Sequence, residues 1–333
     1  MYIPSELRAL LENPGKLCIV NHLNPDGDAM GSAMSLNHML GLLGHEVATI
    51  VPNAYPKVFE ELANLGRVIN FELDESHAKS FLEESRLIFT LDFNTPDRCG
   101  EVLGSLILAQ ASPKVMIDHH QQPGAYAAYT FSDTSKSSTC EMVWDFIEAM
   151  NWQHKANQAV ADALYVGLMT DTGSFRFPSV LPNTHLTAAK LLEKGARNAY
   201  WHEKVMDSNR VQRLQLLGNF LQNMAIYPEY RTVFFHLPHH TLNECRYEKG
   251  DTEGFVNYGL SLEGMGLSVF FLEKGPNNWK LSFRSKGDRD VNALARALFS
   301  GGGHKNAAGG EWQGTLPEAQ QLLLNHLKQE AWQ

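Results

Sequence analysis

The first half of the chain alternates short apolar runs with stretches of helical period, and this pattern limits the fold more than any other feature. "KLCIVNH", "EVATIVP", "SRLIFTLDF" and "PKVMIDHH" read as strands buried on both faces. "DAMGSAMSLNHMLGLLGH", "SSTCEMVWDFIEAM" and "ANQAVADALYVGLMTDTG" read as helices, the first stopping near Gly44. A run that is apolar on both faces must be covered on both faces. Strands separated by helices therefore predict an α/β fold with a mostly parallel sheet flanked by helices.

From Pro182 to about Ile226 the pattern turns helical and polar. "YRTVFFHLP", "GLSVFFLEK" and "NWKLSFRS" then resume a strand-like pattern. "VNALARALF" reads as a helix, "GGGHKNAAGG" as a glycine-rich loop and "LPEAQQLLLNHLKQ" as a closing helix. The expected organisation is an α/β domain over residues 1–185, a helical connector over 186–226 and a smaller α+β domain over 227–333.

Composition excludes several classes. The net charge of -9 argues against a sequence-independent grip on long nucleic acid, which needs an extended basic surface. A small phosphorylated ligand held by metals and a few local cations stays compatible with it. Cys18, Cys99, Cys140 and Cys245 form no CxxC pair, so a thiolate zinc site or redox motif is not expected, and isolated cysteines fit a reducing compartment. The N-terminus lacks the order of a signal peptide, and no apolar run approaches the roughly 20 residues that span a bilayer. The expected location is cytoplasmic, without a membrane partner.

Ionisable groups gather at the ends of the predicted strands. "NHLNPDGDAMGS" places His22, Asp26 and Asp28 on a strand-to-helix turn. They could converge on a divalent cation; alternatively Asp28 caps the helix and Asp26 shapes the turn. Asp92 terminates the strand of "LIFTLDF", and Asp118, His119 and His120 terminate that of "KVMIDHH". Asp171 ends an apolar helix, where the negative end of the macrodipole disfavours an acid. Open α/β sheets place ligands at the carboxyl ends of their strands. His22, Asp26, Asp28, Asp92, His119 and Asp171 together supply two imidazoles and four carboxylates, too much negative charge for one site without cations. The set suits two divalent metals with one carboxylate bridging, manganese ahead of magnesium or cobalt.

A further signal lies between Lys280 and Lys305. Six Lys or Arg against two Asp give a local charge of +4 in an acidic protein. Gly301, Gly302 and Gly303 let backbone approach a ligand closely, and their N–H groups could cradle phosphate. There is no GxxxxGK[ST], HExxH or GxSxG motif.

With these residues in view, the chain resembles the DHH phosphoesterase superfamily, through "NHLNPDGDAMGS", "LDFNTPDR", "IDHH" and "TDTGSF" in order. "GGGHKNAAGG" resembles the signature of the accompanying DHHA1 domain. Among subfamilies it looks most like the bacterial nanoRNase/pAp phosphatase group, which hydrolyses very short oligoribonucleotides and 3′-phosphoadenosine 5′-phosphate (pAp). The resemblance implies a phosphoric ester hydrolase in which His22, Asp26, Asp28, His119 and Asp171 are metal ligands and Asp92 bridges two ions, expected to be Mn2+. His120 would sit beside the scissile phosphate, and Asp118 would orient a liganding histidine. Arg284, Ser285, Gly302, Gly303 and His304 would hold the far phosphate or base of a short oligonucleotide or nucleotide phosphate. A homodimer stays open.

Other readings compete. Relatives that cleave cyclic di-AMP or its linear product pApA share these motifs. A family II inorganic pyrophosphatase shares the first four and carries a different C-terminal domain. A RecJ-like single-strand exonuclease is longer and needs a channel for extended nucleic acid. A regulatory nucleotide-binding protein would keep an idle site, whereas every ligand implied by the resemblance is present here.

Overall fold

Six parallel strands build the first sheet: β1 (Lys16–Val20), β2 (Glu46–Val51), β3 (Arg67–Asn70), β4 (Leu87–Leu91), β5 (Lys114–Asp118) and β6 (Tyr129–Ser132), in the order β3-β2-β1-β4-β5-β6. The computed structural model describes residues 1–329 and divides the chain into two units, Met1–Ser208 and the residues from Asn209 onward. Within the first, alternate residues of the buried strands serve opposite faces. Leu17, Ile19, Phe89, Leu91, Val115 and Ile117 join one core, while Cys18, Val20, Ala48, Ile50 and Ile88 join another. This is why the strands read as unbroken apolar runs. The edge strands β3 and β6 are only partly covered and carry no such run, so they were not expected.

The strand order reverses between β1 and β4, and the loops leaving these two strands diverge there. That opens a crevice at the carboxyl edge of the sheet. Beside it, the helix Gly27–Leu42 packs on the helix Gln158–Asp171 with main chain against main chain. A Cβ on Gly31 would lie 2.4 Å from the carbonyl oxygen of Ala163, and one on Gly167 would lie 2.2 Å from Cys140 Sγ and 2.8 Å from Asp28 Oδ1. Glycine is needed at both positions because no side chain fits between these elements.

The second unit holds β7 (Met224–Tyr227), β8 (Thr232–Leu237), β9 (Leu267–Gly275), β10 (Asn278–Ser285), β11 (Gly302–His304) and β12 (Ala307–Gln313), in the order β11-β12-β10-β9-β8-β7. Only β8 and β9 pair in parallel. Trp279, Leu281 and Phe283 of β10 pack with the helices Val291–Leu298 and Leu316–Gln329. Strand alternation turns Lys280, Ser282 and Arg284 to the other face. The glycine-rich stretch is not a loop but the β11–β12 hairpin, with Gly303 opposite Ala308. Gly303 has φ +151°, and a Cβ there would come 2.4 Å from the carbonyl oxygen of Ala307.

The unit boundary falls inside the expected connector 186–226. Ala188 and Leu191 of the helix Pro182–Glu193 join the first core, whereas Leu216 and Phe220 of the helix Val211–Gln222 join the second. No helix among the described residues is long and apolar enough to cross a membrane.

Candidate metal centre

The crevice collects the ionisable residues from separate elements. His22 lies just beyond β1, Asp26 and Asp28 open the next helix, Asp92 follows β4, His119 and His120 follow β5, and Asp171 closes the helix Gln158–Asp171. Ligand atoms of His22, Asp26 and Asp92 lie within 4.8 Å of one another, and so do those of Asp28, His119 and Asp171 and those of Asp92, His119 and His120. Asp92 joins the first and third groups. Its Oδ2 is 3.4 Å from His22 Nε2, and its Oδ1 is 3.8 Å from His119 Nε2.

Asp92 is held in this pose by its backbone. It adopts φ +66°, a left-handed conformation that Asp tolerates better than most residues, and its N–H donates to the carbonyl of Ile117 at 3.2 Å. The chain thus turns directly off β4 while tied to β5. Asp26, not Asp28, caps the helix: its Oδ1 accepts from the N–H groups of Asp28 and Ala29, each at 3.0 Å. Asp28 is released from capping and buried.

The electrostatics show a cluster short of positive charge. Burial, followed by the charges of Asp92 and Asp171, pushes the Asp28 carboxyl well up. Burial, with Asp92 and Asp26, pushes Asp171 up to about 8. Burial opposes charge on His22, but the Asp26 and Asp92 carboxylates overcome it and raise the imidazole to about 11. Burial likewise works against ionisation of Asp92, which His22, His119 and His120 nonetheless hold below the usual carboxylate range. Two imidazoles among four carboxylates form a donor set that fits hard divalent cations such as manganese or magnesium.

Asp118 meets His120 rather than His119. It is fully buried, and its Oδ1 accepts from Nδ1–H of His120 at 2.7 Å; His119, the liganding candidate, instead donates from Nδ1 to the carbonyl of Lys136 at 3.3 Å. Burial lowers the His120 pKa, but Asp118 and Asp92 outweigh it and bring the ring up to about 9.

On the second unit, Arg284 is half-buried and its Nη1 donates to the carbonyl of Phe283 at 2.9 Å. Burial lowers its pKa, Glu253 opposing, and among the described residues it makes no ion pair. Ser285 braces a turn: its hydroxyl donates to the carbonyl of Arg289 at 2.6 Å and accepts from Asn306 at 2.9 Å. The N–H of Gly303, expected to face a phosphate, donates to Asn292 Oδ1 at 2.9 Å. Gly302 is partly covered and His304 is exposed.

Residues 137–141 are expected only as a helix start, yet together with Lys136 they touch three of the candidate ligands. The signal in "KSSTCE" is its run of three hydroxyl residues ahead of a glutamate at a helix start.

Comparison with known proteins identifies the family. Residues 16–168 match the model of the DHH family, N-terminal domain, and residues 240–333 match that of the DHHA1 domain. The bifunctional oligoribonuclease and PAP phosphatase NrnA of Thermus thermophilus is 30% identical over 331 residues, spanning 99% of this chain and 94% of that protein. The protein of the same name from Bacillus subtilis is 26% identical over 289 residues, 86% of each chain. The crystal structure of an exopolyphosphatase-related protein from Bacteroides fragilis matches with a TM-score of 0.94 at 34% identity, covering 97% of this chain and 95% of that one. An acidic and imidazole-rich crevice at the switch point of a parallel sheet, followed by a DHHA1 domain, places this chain in the DHH/DHHA1 phosphoesterase family, in its NrnA-like branch.

Proposed function

We propose that the protein hydrolyses short oligoribonucleotides and pAp, using two divalent ions, most simply manganese. The observation that carries this reading is Asp92, whose two oxygens face His22 on one side and His119 on the other. The names of the Thermus and Bacillus relatives point to the same substrates. When bound, the ions would acidify a water molecule and neutralise charge on the phosphoryl oxygens.

The chain's own residues do the rest. His22, Asp26 and Asp92 would hold one cation, and Asp92, Asp28, His119 and Asp171 the other. His120, with Nδ1–H committed to Asp118, would present Nε2 to a phosphoryl oxygen as a donor, where charge grows during in-line displacement. Arg284 would bind the phosphate or base that does not react, with His304 in register with it across β12 on the same sheet. Ser285, Gly302 and Gly303 would act by shaping that strand end.

Turnover measured on pApA, a five-residue RNA, pAp, cyclic di-AMP and pyrophosphate with manganese tests the reading. Hydrolysis of the short RNA or pAp ahead of pyrophosphate is expected. Absence of turnover on every ester would overturn it.

A further inference from the structure

We propose that residues 136–140 form a positioning element for the candidate ligands, with Thr139 as its central side chain. The inference rests on the metal-centre reading above and adds residues that lie outside the ligand set.

Ser138 caps the helix Thr139–Ala149, its side chain accepting from the N–H of Glu141 at 3.0 Å. The N–H groups of Thr139 and Cys140, in the first turn, have no acceptor within the helix. Both point at Asp28. Thr139 donates to its Oδ2 at 2.7 Å, and Cys140 to its Oδ1 at 2.9 Å. The hydroxyl of Thr139 donates to Asp92 Oδ1 at 2.9 Å. The carbonyl of Lys136 accepts from His119 Nδ1 at 3.3 Å. One short stretch therefore braces ligand candidates carried by a helix start, the end of β4 and the end of β5.

The stretch is itself anchored. Glu141 is 2% exposed and accepts from the Ser137 N–H at 3.2 Å, the Ser137 hydroxyl at 2.6 Å and the Thr184 hydroxyl at 3.1 Å. Lys136 Nζ donates to it at 3.1 Å. Thr139, Ser138 and Ser137 are buried.

The chemistry of the donors matters. Lysine or arginine at these positions would cancel the carboxylate charge and compete with a cation. Backbone N–H groups and a hydroxyl orient Asp28 and Asp92 while leaving their charge intact. The hydroxyl also occupies a fixed direction on Asp92 Oδ1, so the remaining lone pair of that oxygen is aimed rather than free to swing. Outer contacts of this kind typically set metal affinity by tenfold to a hundredfold.

The test is calorimetric titration of MnCl2 into the metal-free full chain of wild type, Thr139→Val and Thr139→Ser, with steady-state kinetics on pApA alongside. Thr139→Val should bind manganese about 10- to 100-fold more weakly, with kcat falling more than KM rises, and Thr139→Ser should stay within about threefold of wild type. If Thr139→Val does not fold by circular dichroism, Thr139→Ala takes its place with the same expected loss. Wild-type affinity in the variant lacking the hydroxyl would overturn the proposal. So would an equal loss in Thr139→Ser, which keeps the donor. A wild-type chain that binds no manganese would instead defeat the metal-centre reading, and this inference with it.

Discussion

Arg284 offers a test in which stability and activity should move apart. Its guanidinium is half-buried, its own neighbour's carbonyl is its hydrogen-bond partner, and no carboxylate pairs with it among the described residues. An incompletely paired, partly buried cation is unfavourable in the resting protein. Replacing it by methionine keeps most of the apolar stem and removes the charge. Arg284→Met should therefore melt at the same temperature as wild type or slightly above it. If Arg284 grips the non-reacting phosphate, the variant loses one charge-assisted hydrogen bond of about 1.5–3 kcal/mol. At about 1.4 kcal/mol per decade this is a loss of roughly 10- to 150-fold in kcat/KM on pApA or pAp. The loss should fall on KM, because the contact is equal in ground and transition states. Bis-p-nitrophenyl phosphate has no second phosphate, so its kcat/KM should barely change. Thermal melts and kinetics on both substrates decide it. Equal losses in kcat on both esters would place Arg284 at the reacting phosphorus. A fall of several degrees in Tm would show instead that the guanidinium supports the fold.

Asp92→Asn keeps a residue type that tolerates the φ of +66° and an oxygen for Thr139, so the fold should persist. Its turnover should fall by at least the roughly 100- to 1,000-fold that follows loss of one electrostatic stabiliser; a folded variant of near wild-type rate would sink the bridging role. Gly31→Ala should lower Tm by roughly 2–10 °C, since its Cβ would meet the Ala163 carbonyl and overpacking costs about 1–3 kcal/mol. An unchanged melt would mean that the two helices separate freely. Glu61 is held at about 2 because, although burial disfavours its charge, Lys204, Tyr200 and Arg197 outweigh burial. A depressed acid stabilises the fold above its ordinary value of 4.5, and that contribution disappears as pH falls toward 2. The Tm gap between wild type and Glu61→Gln should be steady near neutrality and close over this window; a gap that widens in acid would contradict the sign.

The buried strands were legible because β1, β4 and β5 are covered on both faces and write unbroken apolar runs. Their ends were legible for the same reason, since an ionisable residue stands out sharply after such a run. His22, Asp92 and His119 stand out in the sequence as candidates for that reason. The edge strands β3 and β6 could not be read, because half-covered strands keep polar residues and look like turns, and the apolar β7 continued the helical pattern that precedes it. "GGGHKNAAGG" looked like a loop because glycine is usually a breaker, whereas here it lets β11 and β12 approach without side chains. Spacing alone did not assign the cap between Asp26 and Asp28, nor the partner of Asp118 between two adjacent histidines. Those choices depend on rotamers and on residues more than a hundred positions away, such as Thr139 beside Asp28.

The glycine contact between the helices Gly27–Leu42 and Gln158–Asp171 makes the site's gauge a property of the main chain. Asp28 rides on one helix and Asp171 on the other, with no layer of side chains acting as a compressible spacer between them near Gly31 and Gly167. Exchanging leucine for isoleucine elsewhere in the core can shift a rotamer, but it cannot readily change the distance between two backbones already in contact. Core redesign for heat resistance could therefore proceed broadly through the apolar positions while these two glycines stay fixed. A wider gauge for a larger cation would require a bulkier residue at Gly167, together with a relocation of Cys140, whose sulfur lies 2.2 Å from where that residue's Cβ would go.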